Sequence, residues 1–435
     1  MEDHDKSVSS IAQLSRRQYL STVSVGTAAA VAGCLGDDDD EGGPITYTDR
    51  SDVTVDIYSE RFNEWQEENF DEDDQVEVEG NFNDDQYDDI LTQVRAGEHP
   101  AEVIGVDVVR LESFDNLEML KDISSLVEGL EYRDEFLEGT DPGFTQVNDK
   151  IVGVPSWIDP SLFFYNIDHF EEAGLNHPPE NWDELAEAME VLSDDDFPAF
   201  GGNFAAPGLD QFHFFPWAWA NGGQYVSDDG TESTVDEDPV VDTIEFWKDL
   251  QDQGYTTDLV GSEWPDWHSL FINEDISMIM TSPAEFVNIQ EENEDMFNNY
   301  LGGGLPFGRD GANKSSFLGG NAMSIFDSTE GADLEAAERF LEWLNTEDGM
   351  LATQEAGFMP ARPRGYEIGS YAESPWDGHL ETPEQALEVG NTLTHEETSS
   401  MSSVVASELQ LAFSGEKTAQ EAMTDAADEI NSDLL

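Results

Sequence analysis

The chain has 435 residues, of which 17 are Lys or Arg and 97 are Asp or Glu, so its formal net charge is −80. Such a charge repels nucleic-acid phosphates and anionic lipid head groups, which excludes nucleic acid as a partner and argues against direct lipid binding. A hydrophobic share of 38% with 11% aromatic residues suffices for a packed core, and the length fits two or three domains or one two-lobed body.

The N-terminal segment carries the signature of an exported protein. Residues 15–20 read Ser-Arg-Arg-Gln-Tyr-Leu and resemble a twin-arginine export signal built on Arg16 and Arg17. A weakly apolar run follows at 23–33, which is too short to span a bilayer. The run ends in Val-Ala-Gly before Cys34, which resembles a lipobox and makes this single cysteine the predicted lipidation site.

An acidic tether is expected after the lipidated cysteine. Residues 37–41 are five consecutive carboxylates flanked by glycine, so they repel one another and extend; a calcium site is the alternative. We therefore predict a signal with lipobox at 1–33, and the lipidated Cys with its tether at 34–44. With the charge interpreted as adaptation to molar salt, this indicates a haloarchaeal-type lipoprotein on the outer face of the cytoplasmic membrane.

The body alternates predicted strands and helices. Residues 53–58 alternate apolar and polar side chains as a half-buried strand does, and further strands are predicted at 75–80 and 103–106. An amphipathic helix is predicted at 87–94, with apolar residues at the i, i+3, i+4, i+7 spacing. This order predicts a mostly parallel sheet, whose ligands lie beyond the carboxyl ends of its strands.

A second series of elements begins near Ile151. It contains a strand at 162–165 and a helix that begins at Asn181 with a capping-box-like Glu184. The remaining predicted helices follow Pro239, cover 334–344, and close the chain at 402–414 and 415–430.

Eight motifs occur in the order known from one family. They are Tyr-Asp-Asp-Ile-Leu … Ala-Gly-Glu-His-Pro at 87–100, Ile-Val-Gly-Val-Pro at 151–155, Tyr-Asn-Ile-Asp at 165–168, Phe-Glu-Glu-Ala-Gly-Leu with Pro-Pro at 170–179, Asn-Trp-Asp-Glu-Leu at 181–185, Leu-Pro at 305–306, Gly-Gly at 319–320 and Phe-Leu-Glu-Trp-Leu at 340–344. Together they resemble the extracellular solute-binding proteins of ABC importers, in the carbohydrate-binding group that includes maltose-binding protein.

The resemblance implies an α/β fold of two discontinuous lobes with a ligand cleft between them, as in periplasmic binding proteins. Lobe 1 is predicted at 45–155 plus 306–362, and lobe 2 at 156–305 plus 363–435. The ligand would be captured by closure about a hinge. The closed protein, expected to be a monomer, would then dock on permease subunits that carry an ATPase inside the cell.

A sugar ligand needs aromatic rings for its apolar faces and carboxylates or amides for its hydroxyls. Residues of these types in strand-end or loop positions are the candidates, although any one aromatic residue can belong to the core and any one acid to a solvated loop. The predicted ligand-binding residues are Asp107, Trp157, Asp159, Asp210, Phe212, Trp217, Glu263, Trp264, Trp267, Gly320 and Asn321.

Position in the family pattern selects these residues. Asp159 follows the Gly-Val-Pro turn, where family members place a ligand-contacting acid, and Asp107 follows a predicted strand. Family members also contact ligand from the aromatic stretch at 210–219. One departure concerns 282–284, which reads Ser-Pro-Ala where sugar-binding members often carry Gly-x-Trp, so an aromatic plate is missing there.

No catalytic residue, metal site or cofactor is predicted. The chain has no His-Glu-x-x-His and no Gly-x-Ser-x-Gly motif, and Asn313 occupies the position where a phosphate loop requires its second glycine. The alternatives are a binder of another solute, such as a polyol phosphate or a peptide, and a secreted glycoside hydrolase. With so few basic residues in the chain, a neutral hydroxylated ligand is expected to be easier to hold than an anion.

Overall fold

The computed structural model describes residues 43–83, 87–137, 145–194, 196–227, 229–393, 395 and 397–435, without the side chain of Asp88. The strands are β1 (Ile45–Asp49), β2 (Val78–Phe82), β3 (Val103–Asp107), β4 (Gln146–Val147), β5 (Lys150–Ile151), β6 (Val154–Pro160), β7 (Leu162–Asn166), β8 (Phe200–Gly201), β9 (Met278–Thr281), β10 (Leu301–Gly304), β11 (Ser316–Ile325), β12 (Met359–Pro360) and β13 (Gly390–Asn391).

The α-helices are α1 (Asp52–Asn69), α2 (Asp88–Arg95), α3 (Leu111–Asn116), α4 (Ser124–Gly129), α5 (Ile167–Ala173), α6 (Trp182–Leu192), α7 (Phe215–Ala220), α8 (Asp238–Asp252), α9 (Trp264–Ile272), α10 (Glu285–Glu292), α11 (Glu294–Asn299), α12 (Gly331–Leu344), α13 (Glu347–Glu355), α14 (Trp376–His379), α15 (Glu381–Val389), α16 (Thr398–Phe413) and α17 (Ala419–Asp433). Short 3₁₀ turns occur at several connections, among them Val108–Arg110, and a π-helical turn covers Asp210–Phe214.

A seven-stranded sheet combines strands from both halves of the chain. Its order is β12-β6-β11-β3-β1-β2, with β13 beside β11. Strand β1 runs parallel to β2 and β3, whereas β11 runs antiparallel to β3 and β6. Because the carboxyl ends of β1 and β3 meet at one edge, the residues that follow these two strands lie close together.

The predicted strand at 53–58 is wrong, because these residues belong to α1. The helix begins after Ser51, whose hydroxyl accepts a hydrogen bond from the backbone N–H of Thr54 at 3.3 Å. Its buried side chains include Val55, Tyr58 and Phe62, spaced three and four residues apart, and a helical period over so few residues can look like alternation. The first strand is β1, which ends immediately before Arg50.

A four-stranded sheet of order β10-β7-β9-β8 forms the second body of β-structure. The predicted helix at Asn181 is confirmed as α6, since the Asn181 side chain accepts a hydrogen bond from the N–H of Glu184 at 3.0 Å. The two predicted closing helices are α16 and α17, which pack with α8 and this sheet in one apolar core. The predicted α/β architecture with two sheet-centred bodies is thus confirmed.

Two neighbouring connections join the sheets: Ser161 between β6 and β7, and residues 305–315 between β10 and β11. Strand β6 continues in the large sheet to Pro160 and gives way to β7 after one residue, Ser161. The N–H of Ser161 donates to the carbonyl of Phe317 at 3.0 Å, and the Ser161 hydroxyl accepts from the N–H of Phe317 at 2.9 Å. The hydroxyl of Ser316 donates to the carbonyl of Ser161 at 2.7 Å, so side chains reinforce the place where the two crossing segments meet.

A buried carboxylate connects β1 to the centre of the large sheet. Asp49 is 1% exposed, and one of its oxygens accepts from the hydroxyl of Tyr47 at 2.6 Å and from the Asn321 side-chain amide at 3.0 Å. The other oxygen accepts from the N–H of Arg50 at 2.6 Å. Burial raises the pKa of Asp49, while the hydrogen bond from Tyr47 and the charge of Arg50 act in the opposite direction.

None of the described helices is both long and apolar enough to cross a membrane.

Substitution of Gly105 tests this buried network. A Cβ at Gly105 would collide with the Asp49 carboxylate and lie 2.6 Å from Nδ2 of Asn321. We expect Gly105→Ala to lower the free energy of unfolding by about 1–3 kcal/mol, measured by chemical denaturation. Gly129→Ala is the matched control, because no heavy atom lies within 4 Å of a Cβ there. Equal denaturation midpoints for the two variants would contradict a tightly packed site around Asp49.

Candidate functional site

A cavity of about 510 Å³ lies where the large sheet faces the helices of the second body. Residues at the ends of β1, β3 and β6 and the two glycines of β11 form one wall, and the 207–212 segment with the start of α16 forms the other. The lining residues are Arg50, Tyr87, Asp107, Val109, Arg110, Asp159, Pro207, Gly208, Leu209, Gln211, Phe212, Phe317, Gly319, Gly320, Thr398, Ser399, Ser402 and Ser403.

An ion pair at the carboxyl edge of the sheet forms one side of the cavity. Nη2 of Arg50 lies 2.9 Å from Oδ2 of Asp107. The other carboxylate oxygen of Asp107 accepts a hydrogen bond from the N–H of Val109 at 3.3 Å, which caps the turn that follows β3. Burial opposes the charged form of Arg50, but the surrounding carboxylates, led by Asp107, outweigh burial and raise its pKa.

The hydrogen-bonding capacity of the two ion-paired side chains is used unequally. Each oxygen of Asp107 already has one partner in the protein and keeps a second lone pair. Nε of Arg50 is buried and has no hydrogen-bond partner among the described residues. The guanidinium also lies over the ring of Trp157, 5.8 Å from its centre, in a cation–π contact.

Asp159 lines the cavity and has one carboxylate oxygen without a hydrogen-bond partner among the described residues. This oxygen, Oδ1, is buried. Burial raises the pKa of Asp159 to about 7, against the opposing effects of the Ser282 hydroxyl and the charge of Arg50. At neutral pH this carboxyl group therefore exists in both protonation states. It can accept a hydrogen bond from a hydroxyl and, when protonated, donate one to it.

Asp210 holds the second wall together without facing the cavity. It is fully buried, and its Oδ1 accepts from the Ser402 hydroxyl at 2.5 Å and from the N–H of Gly208 at 2.9 Å. Its Oδ2 accepts from the hydroxyl of Tyr225. Burial raises the pKa of Asp210 to about 6, while the bonds from Ser402 and Tyr225 oppose the shift. Because Gly208 and Ser402 both line the cavity, Asp210 fixes their separation.

The structure brings four of the predicted ligand-binding residues to the cavity: Asp107, Asp159, Phe212 and Gly320. The close approach at Gly320 needs glycine, because its φ is +155° and a Cβ would lie 2.5 Å from the carbonyl oxygen of Trp157. The rings of Phe212 and Phe317 lie 5.7 Å apart in an edge-to-face arrangement and supply the apolar part of the lining.

Three other candidates near these residues are buried in the protein instead. Trp157 is 3% exposed and stacks on Phe358 with ring centres 4.2 Å apart. The amide of Asn321 is bonded to Asp49, as described above. Trp217 is fully buried between Phe163 and other rings of the second core, because its position on α7 faces that core.

The candidates at 263–267 lie outside the cavity as well. Glu263 caps the start of α9, and Trp267 is buried in the core beneath this helix. Trp264 is 44% exposed and stacks on His268 with ring centres 4.5 Å apart. The aromatic density of this segment thus belongs to a helix and its core contacts, and no tryptophan is among the described residues that line the cavity.

The sequence-based candidates for the site did not include Arg50, Arg110 or the serine-rich start of α16. Arg50 follows β1, and a correct assignment of β1 would have identified it by the strand-end rule that selected Asp107. Arg110 lies three residues beyond Asp107 in the same turn. The residues at the start of α16 form no recognisable motif. They reach the cavity only because the fold brings α16 back to it.

No described group of three or more His, Cys, Asp or Glu side chains is arranged to hold a metal ion.

One family model and several known proteins match this sequence. The family model of bacterial extracellular solute-binding proteins matches residues 60–376. A binding protein of Brucella abortus (strain 2308) is 26% identical over 254 residues, which cover 56% of this chain and 58% of that protein. The sn-glycerol-3-phosphate-binding periplasmic protein UgpB of Pectobacterium atrosepticum is 24% identical over 291 residues, with 62% and 63% covered. The chain thus spans less than two thirds of the length of either relative.

Solved structures share the fold at low identity. The maltose-bound MalE3 of T. maritima superposes with a TM-score of 0.78 at 22% identity, covering 89% of this chain and 99% of that chain. The GacH receptor of Streptomyces glaucescens, solved unliganded and with acarbose, gives a TM-score of 0.75 at 20% identity, with 89% and 97% covered. These likenesses confirm the two-lobed α/β fold.

The raised pKa of Asp159 makes stability depend on pH. Its folded pKa of about 7 lies above the ordinary 3.8, so the folded state keeps a proton that the unfolded chain has lost. Stability therefore falls as pH rises from about 4 to about 7. We expect Asp159→Asn to gain several degrees in melting temperature over the wild type at about pH 8, and little at about pH 5.

The control for this experiment is Asp194→Asn. Backbone N–H groups of Phe197 and Asp196 lower the pKa of exposed Asp194, so this residue stays ionised across the interval. Its melting temperature should differ from that of the wild type by the same amount at both pH values. A pH-independent difference for Asp159→Asn would refute the assignment of this titration to Asp159.

Proposed function

Because this chain belongs to the family of bacterial extracellular solute-binding proteins, we propose that it captures a sugar or oligosaccharide in the cavity and delivers it to the permease of an ABC importer. The chain would supply recognition and closure, and the permease with its ATPase would perform transport. No catalytic role is assigned to any of its residues.

The mixed lining of the cavity carries this proposal. A sugar hydroxyl both donates and accepts hydrogen bonds, so it suits an acid with a free oxygen, such as Asp159, next to the cation of Arg50. The hydroxyls at the start of α16 extend this surface, and the rings of Phe212 and Phe317 can cover apolar C–H faces. The sugars bound to MalE3 and to the GacH receptor support the same ligand class.

Closure about the crossing segments would trap the ligand. In the proposed division, lobe 1 consists of 45–155 plus 306–362 and lobe 2 of 156–305 plus 363–435. The hydrogen bonds between Ser161 and the 316–317 segment lie at the border of this division and beside the cavity-lining Phe317. A rotation there changes the distance between the cavity walls while each core stays intact.

Ligand binding is tested with a panel of neutral sugars and the full chain in molar salt. A ligand should raise the melting temperature saturably, by mass action, with no product formed. Asp159→Ala should weaken binding of that sugar about tenfold or more, since it removes a hydrogen bond of a charged group. Trp264→Ala, a surface change away from the cavity, is the control and should bind normally. Release of reducing sugar with time would support a glycoside hydrolase and sink the proposal.

We further infer that the mature protein is a lipoprotein on the outer face of the cytoplasmic membrane of a halophilic cell, exported by the twin-arginine route and working as a monomer. Arg16, Arg17 and Cys34 lie outside the described residues, so this inference depends on the sequence motifs. It is supported by the family, whose members are extracellular. A net charge of −80 suits a surface that salt screens.

Localisation of variants tests the anchor and the route separately. Cys34→Ser should release the protein into the medium, because it removes the thiol that takes the lipid. Replacement of both Arg16 and Arg17 by Lys should retain the precursor in the cytoplasm, whereas Arg95→Lys should not affect export. Fractionation and immunoblotting give the distribution. A membrane-bound Cys34→Ser protein would argue against lipidation, and normal export of the double variant would argue against the twin-arginine route.

A further inference from the structure

The cavity concentrates positive charge in a strongly acidic chain. Arg50 and Arg110 both line it, although the whole chain has 17 basic residues against 97 acidic ones. Two carboxylates, Asp107 and Asp159, also face it, and the second is partly protonated near neutral pH. The charges of the described lining residues therefore sum to neutral or slightly positive, in a chain whose net charge is −80.

Arg110 has no carboxylate partner among the described residues, whereas several other arginines do. Arg61, Arg309 and Arg364 each pair with an acid within 3.1 Å. Arg50 uses Asp107 in the same way. Among the described residues, the contact of the Arg110 guanidinium is with the face of Tyr87, 5.9 Å from the ring centre. Arg110 lines the cavity, and no described residue accepts a hydrogen bond from any of its five N–H donors.

The wall opposite contains a helix N-terminus, whose N-cap residue is Glu397. Helix α16 begins at the cavity with Thr398 and Ser399, and it packs against the 108–110 turn that carries Arg110. A helix of 16 residues has a partial positive charge at its N-terminal end, where its first N–H groups lack intrahelical partners. The hydroxyls of Thr398 and Ser403 already donate to the carbonyls of His395 and Ser399, at 2.6 and 2.9 Å, and can still accept from a ligand, whereas no donated bond is recorded for the Ser399 hydroxyl among the described residues.

We propose that the ligand carries an oxyanion substituent, a carboxylate or a phosphate, on a hydroxylated body, and that Arg110 binds this substituent against the start of α16. The planar guanidinium can donate two parallel hydrogen bonds to either anion. The free oxygen of Asp159 and the Arg50–Asp107 pair then bind the hydroxyls. This inference rests on the proposed function, because it specifies the ligand of the same cavity.

The negative charge of the whole chain does not oppose this assignment. The Debye length is ~8 Å at physiological ionic strength and ~3 Å at 1 M salt, so distant surface carboxylates are screened from the cavity. A direct contact at hydrogen-bond distance is not screened in this way. The expectation that few basic residues favour a neutral ligand rests on the composition of the whole chain, whereas this cavity gathers two of those residues.

The test compares ligands that differ at one substituent. Glucose, glucuronate and glucose 6-phosphate form one series, and glycerol, glycerate and sn-glycerol 3-phosphate form a smaller one. Calorimetry on the full chain in molar salt should give at least tenfold tighter binding for an anionic member than for the neutral member of its series. The tighter of the carboxylate and phosphate members identifies the substituent, and inorganic phosphate alone should bind more weakly than either.

Variants assign the preference to Arg110. In Arg110→Gln the ratio of anionic to neutral affinity should fall to about one, and in Arg110→Lys it should be partly retained. Arg364→Gln, which removes an exposed arginine away from the cavity, should keep the full ratio. If Arg110→Gln only damaged the structure, it would weaken the binding of anionic and neutral members alike.

Two results would overturn the proposal. Equal or tighter binding of the neutral members, with Arg110→Gln unchanged, would refute the anionic ligand and leave the proposed function intact. Binding of inorganic phosphate as tight as that of the phosphorylated members would refute the hydroxylated body. If no member of these series and no neutral sugar binds at all, the proposed function itself fails, and the inference fails with it.

Discussion

The geometry of the cavity depends on one buried carboxylate at the end of β1. Asp49 binds Tyr47, Asn321 and the backbone of Arg50 in a space that only glycine leaves open at position 105. A buried acid is expensive unless several donors surround it, so these groups are held in one arrangement. The arrangement fixes where β1 ends, and therefore where the Arg50 guanidinium meets Asp107 across the edge of the sheet.

A second buried carboxylate plays the corresponding part on the opposite wall. Asp210 joins Gly208 to Ser402, two cavity residues that are far apart in the sequence. Each wall is thus positioned by an acid that does not line the cavity. Of the two acids that do line it, Asp107 pairs with Arg50, and Asp159 has one oxygen without a partner among the described residues. These aspartates have different roles because the hydrogen-bond donors around each of them differ.

Aromatic residues illustrate why composition alone misleads about a binding site. Trp217 and Trp267 were predicted at the cavity because they lie in aromatic stretches with acids nearby, yet both fill cores. A large ring removes more apolar surface from water than any other side chain, so a domain of this size uses most of its tryptophans for packing. The rings that reach the cavity are the smaller ones of Phe212 and Phe317.

The sequence by itself determined the family resemblance, the α/β class, most of the long helices and the acidic character, because these depend on local spacing, capping residues and counts. It also identified Asp107 and Asp159 from their places after a strand and a turn. Only the tertiary structure decided which residues share the cavity. Arg50, Arg110 and Ser402 converge there from distant parts of the chain, and no local pattern encodes a distance between segments that the fold brings together. The same convergence gives the cavity a charge that the overall composition does not predict.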